Sequence, residues 1–138
     1  MQQISIITLG IDDLDRSLRF YEDGFGWTAA FKNEEIAFYQ MNGMVLGTWL
    51  KSRLAEDMKQ DVKTPGAFSM AHNVRGREEV PPLVQRLVAA GGKLLTPPAE
   101  TFYGGLAAYV ADPDSHAWEI AWNPAWAISP EGYVTFGI

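Results

Sequence analysis

Apolar residues first gather at positions 4–11, where Ile7, Leu9 and Ile11 alternate with Ile6, Thr8 and Gly10. A short β-branched run of this kind predicts a buried strand with one wholly apolar face and one mixed face. Asp12 and Asp13 follow, and either side chain can cap the first free N–H groups of a helix. Leu14, Leu18 and Tyr21 then recur at i, i+4 and i+7, against a polar face of Asp15, Arg16, Arg19 and Glu22. Gly24 stands where a left-handed C-terminal cap is expected. Apolar segments at 27–31, 36–41 and 44–50 are separated by KNEE and NG, spacers that suit antiparallel hairpins. The predicted order is β-α-β-β-β.

Residues 51–66 change character: they are charged, carry only Leu54, Met58 and Val62 at helical spacing, and end in Thr-Pro-Gly. A linker with two helical turns is expected. The first pattern then returns. Residues 67–74 read as a strand, Glu78 and Glu79 precede Pro81 and Pro82 at a helix start, and Leu83, Val84, Leu87 and Val88 make the apolar stripe before Gly91-Gly92. Strands are predicted at 93–96, 106–111 and 117–122, with residues 101–102 leading into a Gly104-Gly105 turn. An internal repeat of about 65 residues results. The expected organisation is a first module at 1–52, a linker at 53–66, a second module at 67–122 and a tail at 123–138 that packs through Trp126 and Tyr133, all within one structural domain.

Composition narrows the partners. Eleven Lys+Arg against 17 Asp+Glu give a net charge of −6, with no basic run, which argues against nucleic acid and anionic membranes. Cysteine is absent, removing disulfides, thiolate metal sites and cysteine nucleophiles. No run approaches the length of a membrane span, and the N-terminus lacks a signal-peptide pattern, so a cytoplasmic location is expected.

Three strings, ITLGIDDLDRSLRFYEDGFGW at 7–27, LVQRLVAAGGKLL at 83–95 and YVADPDSHAWEIAW at 109–122, resemble the vicinal oxygen chelate superfamily of glyoxalases, dioxygenases and bleomycin-resistance proteins. The resemblance spans about residues 4–122 and implies an α+β fold of two βαβββ modules whose curved sheets enclose a cavity. Ser115 and His116 stand where Gly-Asn is usual, so a differently shaped turn is expected there.

The same resemblance implies metal ligands at four positions, which here fall on Ile6, on Ser69 (or Phe68 or Met70 with a one-residue slip), near Leu46 or Thr48, and on Glu119. One carboxylate does not hold a divalent ion, so no metal or other cofactor is expected, a divalent metal belonging only to an enzymatic alternative. In AWEIAW, Glu119 shares a face with Ala117 and Ala121 while Trp118, Ile120 and Trp122 share the other. A solvent-facing carboxylate fits that alternation too; the resemblance turns Glu119 toward the cavity, with Asn73 or Thr8 as hydrogen-bond donor. His72 is read either as a satisfied core histidine or as a functional one, with Asn73 as a polar hook into the cavity. His116 can join Glu119 only if it lies in the turn and bends back. Trp49 and Trp122 end corresponding strands and are the aromatic pair proposed for the cavity wall.

The expected ligand-binding set is therefore Glu119, Asn73, Trp49, Trp122, Thr8 and His72. The expected function is binding of a small apolar or aromatic molecule in an inter-module cavity, without metal, by a homodimer whose open sheet edges need covering. The alternative is a lyase, isomerase or dioxygenase of the same superfamily that uses Glu119 with partners not yet identified.

Overall fold

The computed structural model describes residues 1–137 and contains two four-stranded sheets built to one plan. In the first, β1 (Ile6–Ile11) lies parallel to β4 (Val45–Leu50), followed by β3 (Ile36–Gln40) and the short edge strand β2 (Phe31–Lys32). In the second, β5 (Met70–Asn73) lies parallel to β8 (Ala117–Trp122), followed by β7 (Leu106–Ala111) and the edge strand β6 (Lys93–Glu100). All other neighbours are antiparallel. First strand beside last strand in both halves is the order the internal repeat requires. Among the described residues the sheets do not close into a barrel.

The helices lie against each other in a common core. Helix α1 (Leu14–Leu18) is capped by Asp13, whose carboxylate accepts from the Arg16 N–H at 2.9 Å, and it runs on as a π-helical turn over Arg19–Gly24. Tyr21 and Phe20 from this turn are fully buried with Leu83, Val84 and Leu87 of α3 (Val80–Ala89). Gly24 is therefore not the left-handed cap; Gly26 takes that conformation, at φ +77°. A Cβ on Gly24 would meet Leu87 at 2.9 Å and Ala90 at 3.3 Å, so glycine there permits the two modules' helices to approach. Val88 departs from the expected stripe and is 40% exposed, because 83, 84 and 87 already fill the face that meets the core.

Leu9 and Ile11 face the core as alternation predicts. The mixed face of β1 does not line a cavity along its length. Val62, Lys51 and Leu54 crowd Gly10 so closely that a Cβ there would lie 2.8 Å from Val62. Helix α2 (Lys51–Met58) and the segment after it thus cover this end of the first sheet, with Leu54 buried and Met58 exposed.

Two further expectations change. Residues 93–100 form one strand, with register irregularities between Leu94 and Ala99 where Pro97 and Pro98 cannot donate to the ladder. The tail is not merely a packed extension. It forms a small hairpin of β9 (Ala127–Ile128) and β10 (Val134–Thr135), held by hydrogen bonds from Arg75 and Asn42, while Trp126 and Tyr133 are 36% and 53% exposed.

Candidate functional site: a carboxylate on the open face of the second sheet

Strand β8 splits its side chains as its alternation predicts. Trp118 and Ile120 are buried in the core, and Glu119 lies half-buried on the opposite, open face between Ala117 and Ala121. Across the ladder Glu119 stands opposite Tyr109 of β7 and Ala71 of β5. The Tyr109 phenol interacts with both Glu119 and Ser69, and desolvation together with the Glu119 charge raises its pKa. It stays protonated at neutral pH and can donate toward the carboxylate. Asn73 borders the same pocket as Glu119, and Thr8 lies in the other sheet. The signal was available in LAAYVA, where Tyr109 is the polar-tipped residue between inward Ala108 and Val110, but it becomes legible only once β7 is paired with β8.

A pocket of about 430 Å³ opens above Glu119. Small Ala71 and Ala121 leave room on its floor, Asn73 and Asn123 supply amides, and Phe102 and Trp126 stand at its wall. Phe102 is fully exposed. Among the described residues, no ion pair engages Glu119. The pocket is thus an aromatic-walled recess with one uncompensated negative charge.

The six candidate residues do not form one site. Asn73 borders the Glu119 pocket and also a cleft between the modules. His72, on the other face of β5, belongs only to that cleft; its ring lies 5.3 Å from Phe25 and 6.1 Å from Trp27. Burial lowers its pKa, opposed by the charge of Glu79. Trp122 packs partly against the core. Trp49 lies beside Glu35, Arg53 and Glu56 at the start of α2, in the other module. Thr8 is half-buried beside Gly47 in the first sheet and lines none of these recesses. The inter-module cavity expected to contain Glu119 is therefore two separate spaces, divided by β5.

The residues at the implied metal positions do not fit a metal. Among the described residues, no three His, Asp or Glu side chains gather closely enough to hold an ion. Ile6 is an exposed hydrocarbon in the other module, and Leu46 and Thr48 are buried in its core. Beside Glu119 stand the Tyr109 phenol and the amides of Asn73 and Asn123, a donor set without the imidazole or second carboxylate that a transition metal favours.

His116 is elsewhere engaged. In the turn 112–116 Asp112, Asp114 and His116 are buried, and the two carboxylates reach groups of both modules. The Asp112 carboxylate accepts from the Asp114 N–H (3.0 Å), the His116 N–H (2.8 Å), His116 Nδ1 (2.8 Å) and the Tyr21 hydroxyl (2.7 Å). The Trp118 indole donates to the same Tyr21 oxygen at 3.1 Å. Asp114 reaches the start of α1, accepting from the Asp12 N–H at 2.8 Å and Arg16 Nη2 at 3.1 Å. Ser115 takes φ +73°, the left-handed conformation that glycine adopts readily. The substituted turn therefore keeps a shape suited to glycine, and His116 uses its imidazole as a donor to Asp112.

Comparison with known proteins agrees with this architecture. A crystal structure of a glyoxalase-related enzyme from Fulvimarina pelagi is 57% identical over the whole of both chains, with a TM-score of 0.98. A metallothiol transferase, FosB, from Lysinibacillus sphaericus is 25% identical over 123 residues, covering 86% of this chain and 81% of that protein. Lactoylglutathione lyase from Agrobacterium tumefaciens, at 22% identity, shares the fold with a TM-score of 0.64 over 88% of this chain and 94% of its own. Residues 3–120 match the profile of one superfamily, and this chain belongs to it: the Glyoxalase/Bleomycin resistance protein/Dioxygenase superfamily.

Proposed function

We propose that the chain binds a small apolar or aromatic molecule bearing a cationic or hydrogen-bond-donating group, in the recess above Glu119 and without a metal ion. One observation carries this reading: a half-buried carboxylate with no cationic partner sits under aromatic walls, with alanines leaving space beside it. A carboxylate so placed is only partly solvated, and a charged or donating ligand restores what burial removes. The aromatic walls supply contact area for a flat organic body. The unpaired carboxylate and the net charge of −6 support a cationic or donating ligand.

Assembly as a homodimer and residence in the cytoplasm belong to the same proposal. The edge strands leave Phe31, Leu94 and Leu95 exposed by 51%, 43% and 45%, and pairing would cover them. Among the described residues, no helix is long and apolar enough to cross a membrane.

A test uses three probes of one shape and different charge: naphthylmethylamine, methylnaphthalene and naphthoate. Calorimetric titration is expected to rank the amine first and the carboxylate last. Equal affinities, or a preference for naphthoate, would remove Glu119 as the recognition element.

A second reading as a lyase or isomerase is favoured by one specific contact. Tyr109 stands opposite Glu119 in the β7–β8 ladder, which puts a proton donor next to the proton acceptor of the pocket. The relatives' names, a glyoxalase-related enzyme and a transferase, lean the same way. Conversion of a bound compound that Glu119→Gln abolishes would select it.

A further inference from the structure

Phe102 and Tyr103 sit together in the turn that joins β6 to β7, and both line the Glu119 recess. The turn is closed by its own hydrogen bonds. The Thr101 N–H donates to the Gly105 carbonyl at 3.1 Å, the Gly105 N–H donates to the Thr101 hydroxyl at 3.0 Å, and Gly104 takes the left-handed φ of +79°. Gly105 makes room for the half-buried Tyr103 ring, since a Cβ there would lie 2.6 Å from it. Phe102 is left wholly in water. A lone exposed ring needs no explanation, but this one stands with two others around a single recess.

The Phe102 and Tyr103 rings lie 5.2 Å apart with 82° between their planes, so their faces form a right-angled corner. Trp126 brings the third ring to the same lining. It is held in place by its indole N–H, which donates to the Gly137 carbonyl at 2.9 Å, and by Phe136, whose ring meets it at 5.4 Å and 67°.

The lining otherwise holds one carboxylate, Glu119, the amides of Asn73 and Asn123, and no Lys, Arg or His. Asn123 already accepts from the Ala125 N–H at 3.0 Å. A primary ammonium removed from water needs an acceptor for each of its three N–H groups. Ring faces are not such acceptors. They do attract a cation whose charge is spread over alkyl C–H groups, and that cation is weakly hydrated to begin with.

We propose that the recess is an aromatic cage for an N-alkylated ammonium group, with Phe102, Tyr103 and Trp126 around the N-alkyl carbons and Glu119 supplying the opposing charge. This rests on the reading of Glu119 as the recognition element, and it narrows the ligand from any cation or donor to a tertiary or quaternary ammonium.

The test is a fluorescence titration of (naphthylmethyl)trimethylammonium, its uncharged isostere neopentylnaphthalene, and naphthylmethylamine against wild type, Phe102→Leu and Phe102→Tyr. The quaternary ion is expected to bind about tenfold more tightly than either comparison compound. Phe102→Leu keeps an apolar side chain but no ring face, so it weakens the quaternary ion about fivefold and changes the isostere by less than about twofold. The melting temperature stays the same, because the ring it removes is wholly exposed. Phe102→Tyr keeps the face and retains wild-type affinity. A quaternary ion that binds no better than its isostere or the amine, an affinity for it that Phe102→Leu leaves intact, or one that Phe102→Tyr loses would each overturn the proposal. If the amine still binds ahead of naphthoate in that case, the Glu119 reading stands without the cage; if naphthoate binds as well as the amine, that reading falls too.

Discussion

The string YVADPDSHAWEIAW carries two acidic regions with opposite fates. In its turn, the buried Asp112 has each of its oxygens engaged by donors from its own turn and from the facing helix. Three residues beyond that turn, Glu119 is half-buried, paired with no cation and open to a pocket. A carboxylate whose lone pairs are filled by the protein has no capacity left for a ligand. One whose polar neighbour in the ladder is a single phenol keeps that capacity. The difference separates the part of this string that ties the modules together from the part available for recognition.

The contrast breaks most visibly at Asp112. Replacing it with alanine strands the Tyr21 hydroxyl, the His116 imidazole and two backbone N–H groups in a buried site, at a cost of about 3 kcal/mol or more. Urea denaturation should show that loss while any folded protein still binds naphthylmethylamine. Asp114→Ala removes the acceptor for the Asp12 N–H and a contact to the partly exposed Arg16; about 1–2 kcal/mol is expected, read by the same denaturation curve.

His72 offers a smaller, pH-dependent effect. Burial holds its folded pKa below the ordinary 6.5, so the unfolded chain takes up the proton first as pH falls. Its share of stability is complete above about pH 6.5 and diminishes as pH drops through that value. The melting temperature of the wild type should therefore fall more between pH 7 and pH 5 than that of His72→Asn. Parallel curves would remove His72 as the source.

Much of the fold was legible because the features behind it are local. Alternation in IITLGI and AWEIAW assigned the core face correctly, the Asp12-Asp13 pair announced the helix cap that Asp13 makes, and the repeated order of elements gave two matching sheets. Gly24 misled because sequence shows only that a glycine is present; here the reason is Leu87 and Ala90, some sixty residues away. The site was legible only in part for the same reason. Strand parity placed Glu119 on the open face, yet parity cannot say which strand lies opposite, and so Tyr109 was missed. Nor does it reveal that α2 and Val62 crowd one end of the first sheet at Gly10, or that Trp49 and Thr8, in that sheet, do not share a recess with Glu119. His72 and Asn73 are neighbours in sequence, but strand alternation sends them to opposite faces of an edge strand, and hence toward two different spaces.

Glu119→Gln is the most direct measurement, because it keeps the shape of the side chain and removes its charge. The titration of wild type and variant with naphthylmethylamine is expected to show a loss of about 1–3 kcal/mol in binding, with stability changed by less than about 1 kcal/mol. Unchanged affinity in a variant that remains folded would contradict the assignment of Glu119 as the recognition element of this pocket.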